Sequence, residues 1–138
     1  MPITKNSGRQ EVIVGMATFK LADLTSGAAV AAVDLPAKAR ILDVYLKIST
    51  AFNSGTTDAM VIRSNEGTPK AYITIAAALN SLTAGLTSRA ANTNLGFVNN
   101  APSTIDVLWT GAGTAATTGE GTVIVEYVVD NRAAFSQG

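Results

Sequence analysis

Residues 40–50 read Arg-Ile-Leu-Asp-Val-Tyr-Leu-Lys-Ile-Ser-Thr, with apolar and polar side chains alternating along the stretch. Leu42, Val44, Leu46 and Ile48 point one way; Asp43, Tyr45, Lys47 and Ser49 point the other. A period of two marks a β-strand with one buried and one wet face, because successive side chains leave a pleated backbone on opposite sides. The alternation returns at 104–110, where Ile105, Val107 and Trp109 share a face and Asp106 points away. It returns again at 122–129, with Val123, Val125, Tyr127 and Val129 on one side. Strands that are apolar on one face need a second layer to cover them, which directs the chain toward two packed sheets or a closed barrel.

The remaining segments agree. Residues 11–20 are rich in β-branched and aromatic side chains, and Val12, Val14 and Met16 fall on one face. Shorter strands are expected at 28–33, 58–63 and 70–75, with a further one at 92–98. Residues 53–58 and 64–69 are turns, built from Asn, Gly, Ser, Thr and Pro. The apolar spacing within 76–87 is too irregular for a helix, and we expect a loop with one helical turn there. About eight short strands and no helix of ten residues or more make this an all-β chain. The expected fold is a single-domain antiparallel β-sandwich, with a jelly roll favoured, although strand count does not separate that from an immunoglobulin-like sandwich. The expected organisation is a flexible N-terminal arm at 1–10, the sandwich domain at 11–130 and a polar C-terminal tail at 131–138.

Composition removes whole classes of chemistry. The 138 residues contain no Cys, so disulfides, thiolate nucleophiles and Cys-ligated metals are excluded. They contain no His, which excludes Ser-His-Asp triads, the usual zinc sites and the commonest neutral-pH general base. Ten basic residues balance ten acidic ones. That balance argues against nucleic acid and anionic membrane surfaces as partners, since both call for a basic face. Charged residues are 14% of the chain, against about 25% in an average soluble domain. So weakly charged a surface points to extensive cover by other molecules. The first ten residues lack the apolar run of a signal peptide, and the longest nearly apolar stretch, 71–79, is far shorter than a spanning helix. The expectation is a soluble chain made in a cytoplasm.

Individual motifs favour structural explanations. The run from Gly111 through Gly113 to Ala116 matches G-x-G-x-x-A, but a dinucleotide site needs a helix there, and residues 117–121 lead into another strand. Asn53, Thr57 and Asp58 could offer oxygen to Ca²⁺, yet only one of them is charged, and an Asx turn accounts for all three. No metal and no cofactor is assigned. Asp43 and Asp106, on wet strand faces, are the candidates for a glycosidase-like carboxylate pair, with simple solvation as the plainer explanation. Lys47 shares a face with Asp43 and suggests surface charge pairing. Trp109, the single Trp, reads as a core or rim anchor, and Tyr45 and Tyr127 as packing residues.

Two stretches, spanning a third to a half of the chain, resemble a known pattern. Residues 35–57 contain a Pro-Ala turn from Leu35 to Arg40, an Ile-x-Asp-Val strand from Ile41 to Val44, and Thr50-Ala-Phe-Asn-Ser-Gly-Thr56. Residues 104–132 run through a strand, a Gly/Thr/Ala loop and Gly121-Thr-Val-Ile-Val-Glu-Tyr-Val-Val-Asp130. This resembles the capsid cement, or decoration, proteins of tailed bacteriophages. The resemblance implies a non-enzymatic jelly roll on the outer capsid surface of a virion, which holds neighbouring major capsid proteins together. It implies the major capsid protein and further copies of the chain as partners, a homodimer ahead of a trimer. Other readings are a tail or fibre component, a carbohydrate-binding sandwich and, last, a carboxylate hydrolase. Lys5 and Arg9 in the arm are the expected partner-binding residues, followed by Arg132 and Phe135 in the tail.

Overall fold

The computed structural model describes residues 12–65, 68–91, 94–96 and 101–129. Among them, alternating apolar sequence becomes β1 (Ile13–Lys20), β2 (Ala29–Leu35), β3 (Ala39–Thr50), β4 (Thr57–Ser64), β5 (Ala71–Ala78), β6 (Thr87–Arg89), β7 (Ser103–Ala112) and β8 (Glu120–Val129). They form two four-stranded sheets, sheet A in the order β1-β8-β3-β6 and sheet B in the order β2-β7-β4-β5. Every described strand pairing is antiparallel. Except between β4 and β5, consecutive strands belong to opposite sheets. The chain is an all-β sandwich. The one helical piece described in full is a single 3₁₀ turn, Leu21–Asp23.

Inward side chains of both sheets form one core, with Val44, Leu46 and Ile48 of β3 against Met60 and Ile62 of β4, Ile105 and Val107 of β7, and Val123 and Val125 of β8. Phe52 closes one end, its ring 5.6 Å from Trp109 and 6.4 Å from Phe19. The expected inward sets therefore meet, with one correction. Ile41 is buried and Leu42 is 39% exposed, because Leu42 is the extra residue of a β-bulge: Ile41 pairs with Tyr127 and Asp43 with Glu126. One inserted residue reverses the alternation on its N-terminal side.

Two further expectations change. Residues 76–78 complete β5 rather than starting a helical turn, and 87–89 form β6, of which the sequence reading placed Thr87 in the loop and assigned Ser88 and Arg89 to no element. Backbone bonds extend the β6 edge, from Ile48 N–H to the Leu86 carbonyl (2.8 Å) and from Gly85 N–H to the Ile48 carbonyl (2.8 Å). The strand expected at 92–98 does not form within the part described, 94–96. Val12, Val14 and Met16 do share a face, and it is the outer one.

Candidate interaction surfaces

Three places concentrate polar or exposed apolar groups: the loop end around Asp58, the outer face of sheet A around Asp43, and the exposed row on β1.

At the loop end, β3 runs out at Thr50 and the chain turns through residues 51–56 into β4. Asp58 points into the core and is 1% exposed. Its Oδ1 accepts from Trp109 Nε1–H (2.9 Å) and Ser54 Oγ–H (2.6 Å), and its Oδ2 accepts from Ser54 N–H (3.1 Å). The Ser81 hydroxyl donates to the Asp58 carbonyl. Asn53 ties this turn to the β7–β8 loop: its Oδ1 accepts from Thr117 N–H (2.8 Å) and Thr118 N–H (3.1 Å). Gly113 has φ of +83° and lies directly against Thr56, so a side chain there would meet both strain and a collision. The G-x-G-x-x-A run is thus a strand end and inter-strand loop, as expected. The expected Asx turn is replaced by longer-range contacts, Asn53 bonding across to the β7–β8 loop and Asp58 back to Ser54 and across to Trp109. No group of three or more acidic residues able to hold a metal occurs among the described residues. Beside Trp109 and Ser54, a pocket of about 370 Å³ opens between Leu21, Leu24 and Ala116.

On sheet A, Asp43 faces outward yet is only 4% exposed, contrary to its expected wet position. Arg89 of β6 lies over it. Arg89 Nε–H donates to Asp43 Oδ2 (2.6 Å), and Val44 N–H donates to Oδ1 (2.9 Å). The same guanidinium sits 5.6 Å above the Tyr45 ring. Burial pushes the Asp43 carboxyl up, but the bonds from Arg89, Val44 and Tyr45 outweigh it and hold the group below the ordinary carboxylate range. The same contacts raise Arg89 and leave Tyr45 raised, Tyr45 chiefly by desolvation. Asp43 therefore pairs with Arg89 instead of Lys47. A groove of about 390 Å³ runs beside this pair over Tyr45, Lys47, Thr122 and Ile124.

Asp106 is also buried, accepting from Thr104 Oγ–H (2.6 Å). It belongs to β7 on the outer face of sheet B, opposite Arg63 and Ala31, while Asp43 belongs to the outer face of sheet A. The whole core separates them, so they do not form a carboxylate pair across one bond. Lys5, Arg9, Arg132 and Phe135 lie outside the described residues. Sequence reasoning missed Arg89, whose only signal was an unassigned cation in a three-residue segment.

The third place is β1 with the residue just before it, where Val12, Val14 and Met16 are 55%, 59% and 67% exposed, Val14 and Met16 on the outer face of sheet A. On β8 beside them lie Glu126 and Ile124, opposite Val14 and Met16 respectively.

No protein-family model matches the chain, and no curated protein matches it. Solved structures share its fold. A chain of the cyanophage Pam1 capsid asymmetric unit is 18% identical with a TM-score of 0.65, covering 94% of this chain and 91% of that one. A chain of the acid-stable capsid of Helicobacter pylori bacteriophage KHP30 is 15% identical with a TM-score of 0.66, covering 91% and 94%. A chain of the Ralstonia phage GP4 capsid is 18% identical with a TM-score of 0.57, covering 94% and 90%. At these identities the likeness establishes the fold, and it runs nearly end to end in both partners of each comparison.

Proposed function

We propose that this chain is a structural component of a bacteriophage virion, a cement protein that binds the outer capsid surface and bridges neighbouring major capsid proteins. The observation that carries the reading is the near-complete fold match to chains from three phage capsids, 90–94% of each chain being covered. A jelly roll is the proposed topology, supported by strands that alternate between sheets in the orders β1-β8-β3-β6 and β2-β7-β4-β5. The physical properties suit the role. Two of the three carboxylates buried among the described residues, Asp43 and Asp58, are committed to holding distant segments together. The surface is sparsely charged and carries an exposed apolar row. Such a protein works as a stiff body with contact area on more than one side.

In this reading Lys5 and Arg9 in the arm, with Arg132 and Phe135 in the tail, supply further capsid contacts. An extended arm can add a strand to a neighbour's sheet edge while its cations meet acidic groups. Electron microscopy of heads assembled with and without the protein tests the proposal. Density for this sandwich on the outer surface is expected, and a version lacking residues 1–10 should occupy it more weakly and with less salt dependence. Purified heads devoid of the protein would refute the virion role, and equal occupancy by both versions at low and high salt would refute the arm.

A further inference from the structure

We infer that β1 is a self-association edge: two copies of this chain pair their β1 strands antiparallel about a two-fold axis at Val14, joining two copies of sheet A into one. This goes beyond the virion reading by naming the surface through which copies meet.

β1 ends the order β1-β8-β3-β6, so one side of it is taken by β8 and no described strand occupies the other. Its pairing with β8 runs over all of Ile13–Lys20 without a bulge, which leaves a straight row of backbone groups on the free side. The other three edges carry devices that discourage pairing. β6 is three residues long. β2 has a bulge between Ala31 and Val33 and a charge at Asp34. β5 has two register shifts against β4, and its first carbonyls, Ala71 and Tyr72, accept from Asn94 Nδ2–H and Ala91 N–H. β1 has no bulge and no Pro, and its single charge, Lys20, is at its far end. The edge is also firmly seated. A Cβ on Gly15 would stand 2.5 Å from Val33 Cγ1, so the strand packs closely on β2.

The occupant follows from the side chains. Val12, Val14 and Met16 form a row more than half exposed, which gains from cover. A two-fold axis at Val14 sets Val14 against Val14 of the second copy, and Val12 against Met16 of the second copy. Every pair in the row is then apolar on apolar, the combination that stabilises neighbouring strands. A row that matches itself when reversed is what an isologous contact requires, whereas an unrelated partner would impose no such symmetry. A formal charge of zero means that two copies do not repel.

The absence of Cys makes the test clean. In Val14→Cys the two thiols face each other across the axis, at the ~4.5–5.5 Å Cα spacing of antiparallel pairs, within the range a disulfide spans. Mild oxidation at micromolar concentration should give a covalent dimer on a non-reducing gel, while Val61→Cys on the outer face of sheet B should stay monomeric. Light scattering should report twice the chain mass for the native protein. It should report a single chain for Val14→Lys, still cooperatively folded, with a melting temperature lowered only by the lost association. A monomeric native protein, a folded Val14→Cys that does not cross-link, or a Val14→Lys that remains a dimer would each overturn the inference. Any of these beside normal occupancy of heads would leave the virion reading standing; a cross-linked dimer that never binds heads would overturn that reading and keep the edge.

Discussion

Three described aspartates in this sandwich have lost almost all contact with water, and two of them, Asp58 and Asp43, are held in different ways. Asp58, inside the core, accepts hydrogen bonds from Ser54 and Trp109, both neutral. Asp43, on the outer face of sheet A, is bound by a guanidinium whose side chain is 69% exposed. The first arrangement joins a turn, a strand start and the core Trp, so it is built from segments that are themselves fixed by packing. The second fastens the three-residue β6 to β3 by charge. A cage of neutral donors in the core depends on geometry, whereas an ion pair with one solvated partner also depends on salt. The same residue type is thus structural in both places, by different physics.

The sharpest way to break this contrast is at Asp58. Asp58→Ala strands the Trp109 and Ser54 N–H donors in the core and leaves a cavity. Each stranded donor costs ~1–3 kcal/mol, so a loss of about 3–5 kcal/mol is expected in denaturant unfolding. Asp58→Asn, which keeps one acceptor oxygen, should cost less; equal costs would mean that the hydrogen bonds contribute little.

Next in size is the bulge that seats Asp43. Ile41→Ala should destabilise by about 2–4 kcal/mol, and Leu42→Ala, at the exposed bulge position, by less than about 0.5 kcal/mol. The reverse ranking would restore the simple alternation and remove the bulge.

The smallest effect is the pH response of Asp43. Its folded carboxyl lies below the ordinary range, so its contribution is complete above the unfolded value near 4 and is lost as pH falls through the folded value. Melting temperature followed from neutral pH downward should show this acid limb. Asp43→Asn and Arg89→Ala should flatten it, while Lys47→Ala leaves it unchanged. A limb that persists in Asp43→Asn would assign the acid sensitivity to another group.

The inward faces of β7 and β8 and the inward residues Val44, Leu46 and Ile48 of β3 were legible because they keep the two-residue period, the second register shift of β3 falling beyond them, between Ile48 and Thr50. Leu42 was assigned to the wrong side and Ile41 to neither, since both are apolar and periodicity does not reveal an inserted residue. β6 was illegible for another reason. Thr87, Ser88 and Arg89 have no apolar pattern, and the segment becomes a strand only because Tyr45, Leu46 and Lys47 offer it an edge. Asp43 and Asp106 were taken for solvated groups because a lone Asp in an alternating strand does not announce the side chain that will cover it.

By itself the sequence determined the all-β class, the positions of most strands and the lack of thiol and imidazole chemistry, because these depend on residue type and on spacing along the chain. Only the tertiary structure decided the order of strands, the partner of each buried carboxylate and the outward direction of Val12, Val14 and Met16. Those depend on which distant segment arrives alongside. A strand's period says that it has two faces, and the neighbour that covers one of them says which face is inside.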